Sequence, residues 1–119
     1  MTTLSTHVLD LTSGKPAKGI VVSLYRLEGN TERLWIGDTI TNEDGRIDQP
    51  FFSKEPFTSG EYELLFDIET YFSISPSVQT STPAFLTKVA VRIGLSEAFE
   101  HYHVPLLVSP WGYQIYRGS

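Results

Sequence analysis

Turn signals recur at short, regular intervals along this chain, and that spacing constrains its fold more than any other feature. Thr12-Ser13-Gly14-Lys15-Pro16, Glu28-Gly29-Asn30, Asn42-Glu43-Asp44-Gly45 and Ser109-Pro110-Trp111-Gly112 all combine residues that preset backbone angles or tolerate unusual ones. The runs between them are rich in β-branched and aromatic residues. Strands are expected from Leu4 to Leu11, Gly19 to Glu28, Arg33 to Thr41, Gly60 to Ile68 and Phe85 to Ile93. Another pair is expected within the last nineteen residues, HYHVPLLVSPWGYQIYRGS, the second of them running from Tyr113 to Arg117. Pro50 and Pro56 interrupt regular structure, Glu69 to Ser73 forms a short helical turn, and Leu95 to Glu100 is a connector. The most loop-like stretch is Ile74 to Pro83. About seven or eight short strands, turns roughly every 8–12 residues and no long amphipathic helix predict an antiparallel all-β sandwich.

Side-chain alternation assigns faces. In the first strand Ser5, His7 and Leu9 share one face, while Thr6, Val8 and Asp10 share the other. Tyr62, Leu64 and Phe66 alternate with Glu61, Glu63 and Asp67, and Val89, Val91 and Ile93 with Lys88 and Arg92. The 119 residues are expected to form a single domain, 1–119, long enough to bury one core. A net charge of −5 without a basic cluster argues against nucleic acid and against an anionic membrane surface. With no cysteine there is neither a disulfide nor thiolate chemistry. No apolar run approaches the roughly 18 residues that span a bilayer, and no leader is expected at MTTLSTHVLD, so the expected location is cytoplasmic.

Candidate chemistry centres on three histidines, His7, His101 and His103. The His101-x-His103 spacing turns both rings to one face of a strand. That pair could ligate a metal with His7 or a carboxylate as third ligand, or could be a solvated strand edge. The other reading is acid–base catalysis, because an imidazole with a pKa of about 6.5 both accepts and donates protons near neutrality. Hydrolysis of an amide, for instance, requires a base for water, positive charge for the tetrahedral oxyanion and a proton for the departing nitrogen. His7, His103 and Arg46, which follows the Asn42–Gly45 turn, offer that set. Each has a structural alternative: a strand histidine bonded to backbone, a solvated turn arginine.

The run His101-Tyr102-His103-Val104-Pro105-Leu106-Leu107, then Ser109-Pro110, Tyr113 and the terminal Tyr116-Arg117-Gly118-Ser119, resembles the 5-hydroxyisourate hydrolase family. Ser5-Thr6-His7-Val8-Leu9-Asp10 and the Thr-x-x-Asp-Gly-Arg pattern ending at Arg46 are similar to further motifs of that family. The resemblance implies a transthyretin-like sandwich of two four-stranded sheets with one short helix after the fifth strand. It also implies hydrolysis of 5-hydroxyisourate by metal-free His/Arg acid–base catalysis, without a cofactor, in a homotetramer. By the same resemblance His7, Arg46, His103 and Ser119 are catalytic, His7, Arg46 and Tyr116 bind substrate, and His101 has a supporting place. The tail, which stops shortly after the aromatic Tyr113 and Tyr116, is expected to be built into the assembly. The terminal Tyr-Arg-Gly-Ser and the histidine pair distinguish this reading from a transthyretin-like carrier of a small aromatic ligand, and the lack of linkers from an adhesive module. The chain departs from the family pattern from Ile74 to Ala90, where it reads Pro83-Ala84-Phe85-Leu86, in the connector from Gly94 to Glu100, and at Trp111. Those departures fall on loop geometry and the pocket rim.

Overall fold

The computed structural model describes residues 2–29, 31–54, 56–75, 78–96 and 100–119. Asn30 of an expected turn, 76–77 of the expected loop and 97–99 of the expected connector lie outside them. The strands are β1 (Thr3–Asp10), β2 (Lys15–Pro16), β3 (Val21–Glu28), β4 (Glu32–Ile40), β5 (Gly60–Asp67), β6 (Lys88–Leu95), β7 (His101–Val108) and β8 (Tyr113–Ile115). The helix α1 (Ile68–Ser73) follows β5. Two four-stranded sheets form, in the orders β2-β1-β7-β8 and β4-β3-β5-β6. All pairings are antiparallel except β1 with β7, which run parallel with Thr3 opposite His101 and Asp10 opposite Val108. The all-β sandwich expected from the turn spacing is thus observed, with one parallel pair joining the two ends of the chain.

The core lies between the sheets and is filled by alternate residues. Leu4 and Val8 of β1, Val22 and Leu24 of β3, Leu64 and Phe66 of β5, and Leu106 and Val108 of β7 are fully buried. Each such aliphatic or aromatic side chain contributes about 1.5–3 kcal/mol by leaving water. The alternation leaves Ser5, His7 and Leu9, with His101, His103 and Leu107, on the outer face of the first sheet, where none of them is fully buried. α1 is capped by Asp67, whose carboxylate accepts from the Thr70 amide at 3.3 Å, and it buries Ile68 and Phe72. The Tyr71 hydroxyl donates to Asp10 Oδ2 at 2.7 Å, tying the helix to the end of β1.

Several element boundaries differ from expectation, most by one or two residues, and three of the differences have a clear physical cause. Lys15–Pro16 was expected in a turn and instead forms the short edge strand β2, paired with Leu9 and Asp10. Phe85 to Thr87 do not belong to β6, which begins at Lys88 opposite Asp67, because beyond Asp67 the β5 ladder gives way to the helix. β8 stops at Ile115 rather than Arg117. Its register with β7 carries Tyr116 opposite Pro105, and Pro105 has no N–H to offer. The ladder resumes one step later, where the Gly118 amide donates to the His103 carbonyl at 2.7 Å.

Candidate active site

The site is assembled around β1, with a turn on one side of it and β7 on the other. The turn after β4 is closed on itself. The Asn42 amide donates to the Arg46 carbonyl at 2.7 Å, and Asn42 Oδ1 accepts from the amides of Asp44 and Arg46. Gly45 adopts φ +73°, and its carbonyl accepts from the Val8 amide at 2.8 Å. An added Cβ there would run into the Val8 carbonyl oxygen, so this position demands glycine for room as well as for backbone angle. Docking of the turn pairs the Arg46 backbone with that of His7 across an antiparallel bridge. Arg46 is exposed, and among the described residues its side chain makes no hydrogen bond or ion pair.

On the other flank, parallel register sets Ser5 opposite His103 and His7 opposite Pro105. His103 and His7 therefore lie diagonally across neighbouring strands on one face, with Arg46 beyond β1. Their proximity is felt electrically. Burial of the ring, then the positive charge of Arg46 and of His7, holds the His103 imidazole below its ordinary pKa. His103 Nδ1 lies 2.9 Å from Ser5 Oγ, and His101 Nδ1 lies 2.5 Å from Thr3 Oγ1. Sequence reasoning had placed Ser5 on the His7 face but missed both hydroxyl–imidazole pairs, because the register that makes them joins residues 98 apart.

The terminal residues divide between the two faces. Tyr116 and Gly118 continue the β8 register on the His103 side, and Tyr116 is about half exposed. Arg117 turns the other way. Its guanidinium lies 4.7 Å from the centre of the Tyr102 ring and donates to Glu100 at 2.8 Å, holding the tail from behind. Ser119 is exposed one residue past Gly118, and among the described residues it makes no hydrogen bond to either histidine. Among the described residues no three histidines or carboxylates converge in an arrangement that could hold a metal ion, so His101 and His103 are not joined by a third ligand. A groove of about 340 Å³ lies along the edge between β6 and β8, lined by Val91, Ile93, Val104 and Ile115 and reached by Tyr116 and Arg117 of the tail.

The sandwich of two four-stranded sheets with one short helix is an architecture this chain shares with a known group of proteins. The chain belongs to the HIUase/Transthyretin family, whose profile matches residues 4–118. It is 50% identical to 5-hydroxyisourate hydrolase 2 of Rhizobium meliloti over 116 residues, which cover 98% of this chain and 95% of that one. The structure of Klebsiella pneumoniae 5-hydroxyisourate hydrolase is similar at a TM-score of 0.78 and 35% identity, covering 98% of this chain and 99% of that one. The structure of (S)-allantoin synthase is similar at a TM-score of 0.86 and 41% identity. It covers 99% of this chain, but this chain spans only 44% of that one.

Proposed function

We propose that this chain hydrolyses 5-hydroxyisourate, opening its six-membered lactam to 5-hydroxy-2-oxo-4-ureido-2,5-dihydro-1H-imidazole-5-carboxylate in urate degradation. The observation that carries the reading is the approach of His7, Arg46 and His103 around β1, where burial and the neighbouring charges lower the His103 pKa and so favour its neutral ring. A neutral imidazole beside a guanidinium is a base available at neutral pH. In this mechanism His103 accepts a proton from water as the oxygen bonds to the C6 carbonyl. Arg46 stabilises the oxyanion of the tetrahedral intermediate. His7 then donates a proton to the ring nitrogen as the C–N bond breaks. Tyr116 lines the substrate's side of the face, and Ser119 extends the same wall.

The same reading makes the chain one domain and a homotetramer. An outer sheet face that is open in one chain becomes an enclosed site when a second copy covers it, and enclosure strengthens the charge interactions there. The apolar groove beside β6 and β8 also supports association. A cytoplasmic location belongs to this reading, and among the described residues no helix is long and apolar enough to cross a membrane.

The test follows the ultraviolet decay of freshly generated 5-hydroxyisourate with wild type, His103→Asn and Arg46→Gln, each with and without chelator. Accelerated decay that survives chelator and falls about 100-fold or more in both variants supports the reading. Decay no faster than the spontaneous rate, from folded protein, refutes it. Loss of activity to chelator alone refutes the metal-free mechanism.

A further inference from the structure

His103 and His7 are treated differently by their neighbours across the β1–β7 pair. His7 faces Pro105, which has no side-chain hydrogen-bonding group, whereas His103 faces Ser5, whose Oγ lies 2.9 Å from Nδ1. Two residues back along both strands Thr3 and His101 repeat the hydroxyl–Nδ1 arrangement. The carbon edge of the His103 ring is also confined. Gly118 is bonded to the His103 carbonyl and lies so close that an added Cβ would stand 2.8 Å from Cδ2.

A half-turn of an imidazole exchanges Nδ1 with Cδ2 and Nε2 with Cε1. For His103 it would set a C–H against the Ser5 hydroxyl and a polar nitrogen against the glycine methylene. The flipped ring loses its hydrogen bond and gains none, so one orientation is favoured. In that orientation Nδ1 is engaged and Nε2 is the nitrogen left for the outer face. Which nitrogen of a histidine meets the substrate is set by the bond the other one makes.

We propose that Ser5 is a positioning residue: its hydroxyl fixes the His103 ring so that Nε2 alone exchanges protons with water and substrate. The proposal rests on the hydrolase reading above, in which His103 accepts the proton from water. Ser5 touches neither reactant and acts through the ring it holds. His7 lies opposite Pro105 and has no such hydroxyl across the β1–β7 pair.

The pair Ser5→Thr and Ser5→Val tests this, because threonine and valine have nearly the same shape and differ in the hydroxyl. Ser5→Thr should keep kcat within about twofold, while Ser5→Val should lose about tenfold in kcat with KM changed less than about threefold. Long-range proton–nitrogen NMR spectra of the imidazoles, taken without substrate, read the proton distribution on His103 directly. Wild type and Ser5→Thr should share one pattern, and Ser5→Val should differ from both. Wild-type kcat and an unchanged His103 pattern in Ser5→Val overturn the proposal. Equal impairment of Ser5→Thr and Ser5→Val does so too, since it marks a packing effect. Ser5→Ala replaces Ser5→Val in both measurements if valine prevents folding. If wild type fails to hydrolyse 5-hydroxyisourate, the spectra still judge what Ser5 does to the ring.

Discussion

Replacing Gly118 by alanine should separate catalysis from stability in this protein. The added Cβ would lie 2.8 Å from His103 Cδ2 and 3.0 Å from Pro105 Cγ, where unstrained carbon contacts lie at about 3.5–4.0 Å. Neither neighbour yields cheaply. Pro105 is a rigid ring inside β7, and His103 is held at Nδ1 by Ser5. The tail therefore moves, by roughly 0.5–1 Å, and the 2.7 Å bond from the Gly118 amide to the His103 carbonyl weakens or breaks. One net backbone hydrogen bond at a chain end is worth about 1 kcal/mol, so the global stability loss should be no larger than that. Misplacement of a catalytic group by about 1 Å costs on the order of 100-fold in rate. Gly118→Ala should accordingly lose about 10- to 100-fold in kcat/KM while its urea midpoint stays close to wild type. Steady-state hydrolysis and urea denaturation at one protein concentration measure the two. Wild-type activity in Gly118→Ala would refute the reasoning, and so would activity and stability falling in proportion.

His103 should titrate below the ordinary histidine value of about 6.5 in NMR, and its pKa should rise in Arg46→Gln, which removes a neighbouring positive charge. Because folding lowers this pKa, the unfolded chain binds the proton more readily. The associated stability is complete above about pH 6.5 and is lost as pH falls through the folded value, which urea midpoints across that window will show. Tyr71→Phe removes a donor from the buried Asp10 carboxylate and should cost about 1.5–3 kcal/mol in urea denaturation at pH 7. Burial pushes the Asp10 pKa up, but bonds from Thr12 and Tyr71 outweigh it and leave the pKa lowered. The gap between wild type and Tyr71→Phe should therefore close as pH falls below the ordinary value of 3.8 and Asp10 protonates.

Much of the fold is legible residue by residue. The alternation of Thr6, Val8 and Asp10 with Ser5, His7 and Leu9 corresponds to the buried and outer faces of β1, because a strand's period of two is a local property. The Asn42–Gly45 turn was equally legible, since Asn42 closes it with its own side chain. Where β6 begins was not legible. Phe85 and Leu86 look like strand residues, but a strand exists only where a neighbour supplies a ladder, and that ladder ends at Asp67. The end of β8 was hidden for a related reason, because the missing donor belongs to Pro105 on another strand.

The candidate site divides along the same line. Sequence by itself determined the sandwich class, the parity of each strand and the residue types able to move protons, all of which depend on near neighbours in the chain. Tertiary structure alone decided that β1 and β7 run parallel with Ser5 opposite His103, that Gly45 docks Arg46 against His7, and that Arg117 turns away from the histidines. Those are contacts between segments up to 98 residues apart. A strand's sequence specifies which way its side chains point, and the packing of the whole core selects which strand lies beside it and in what register.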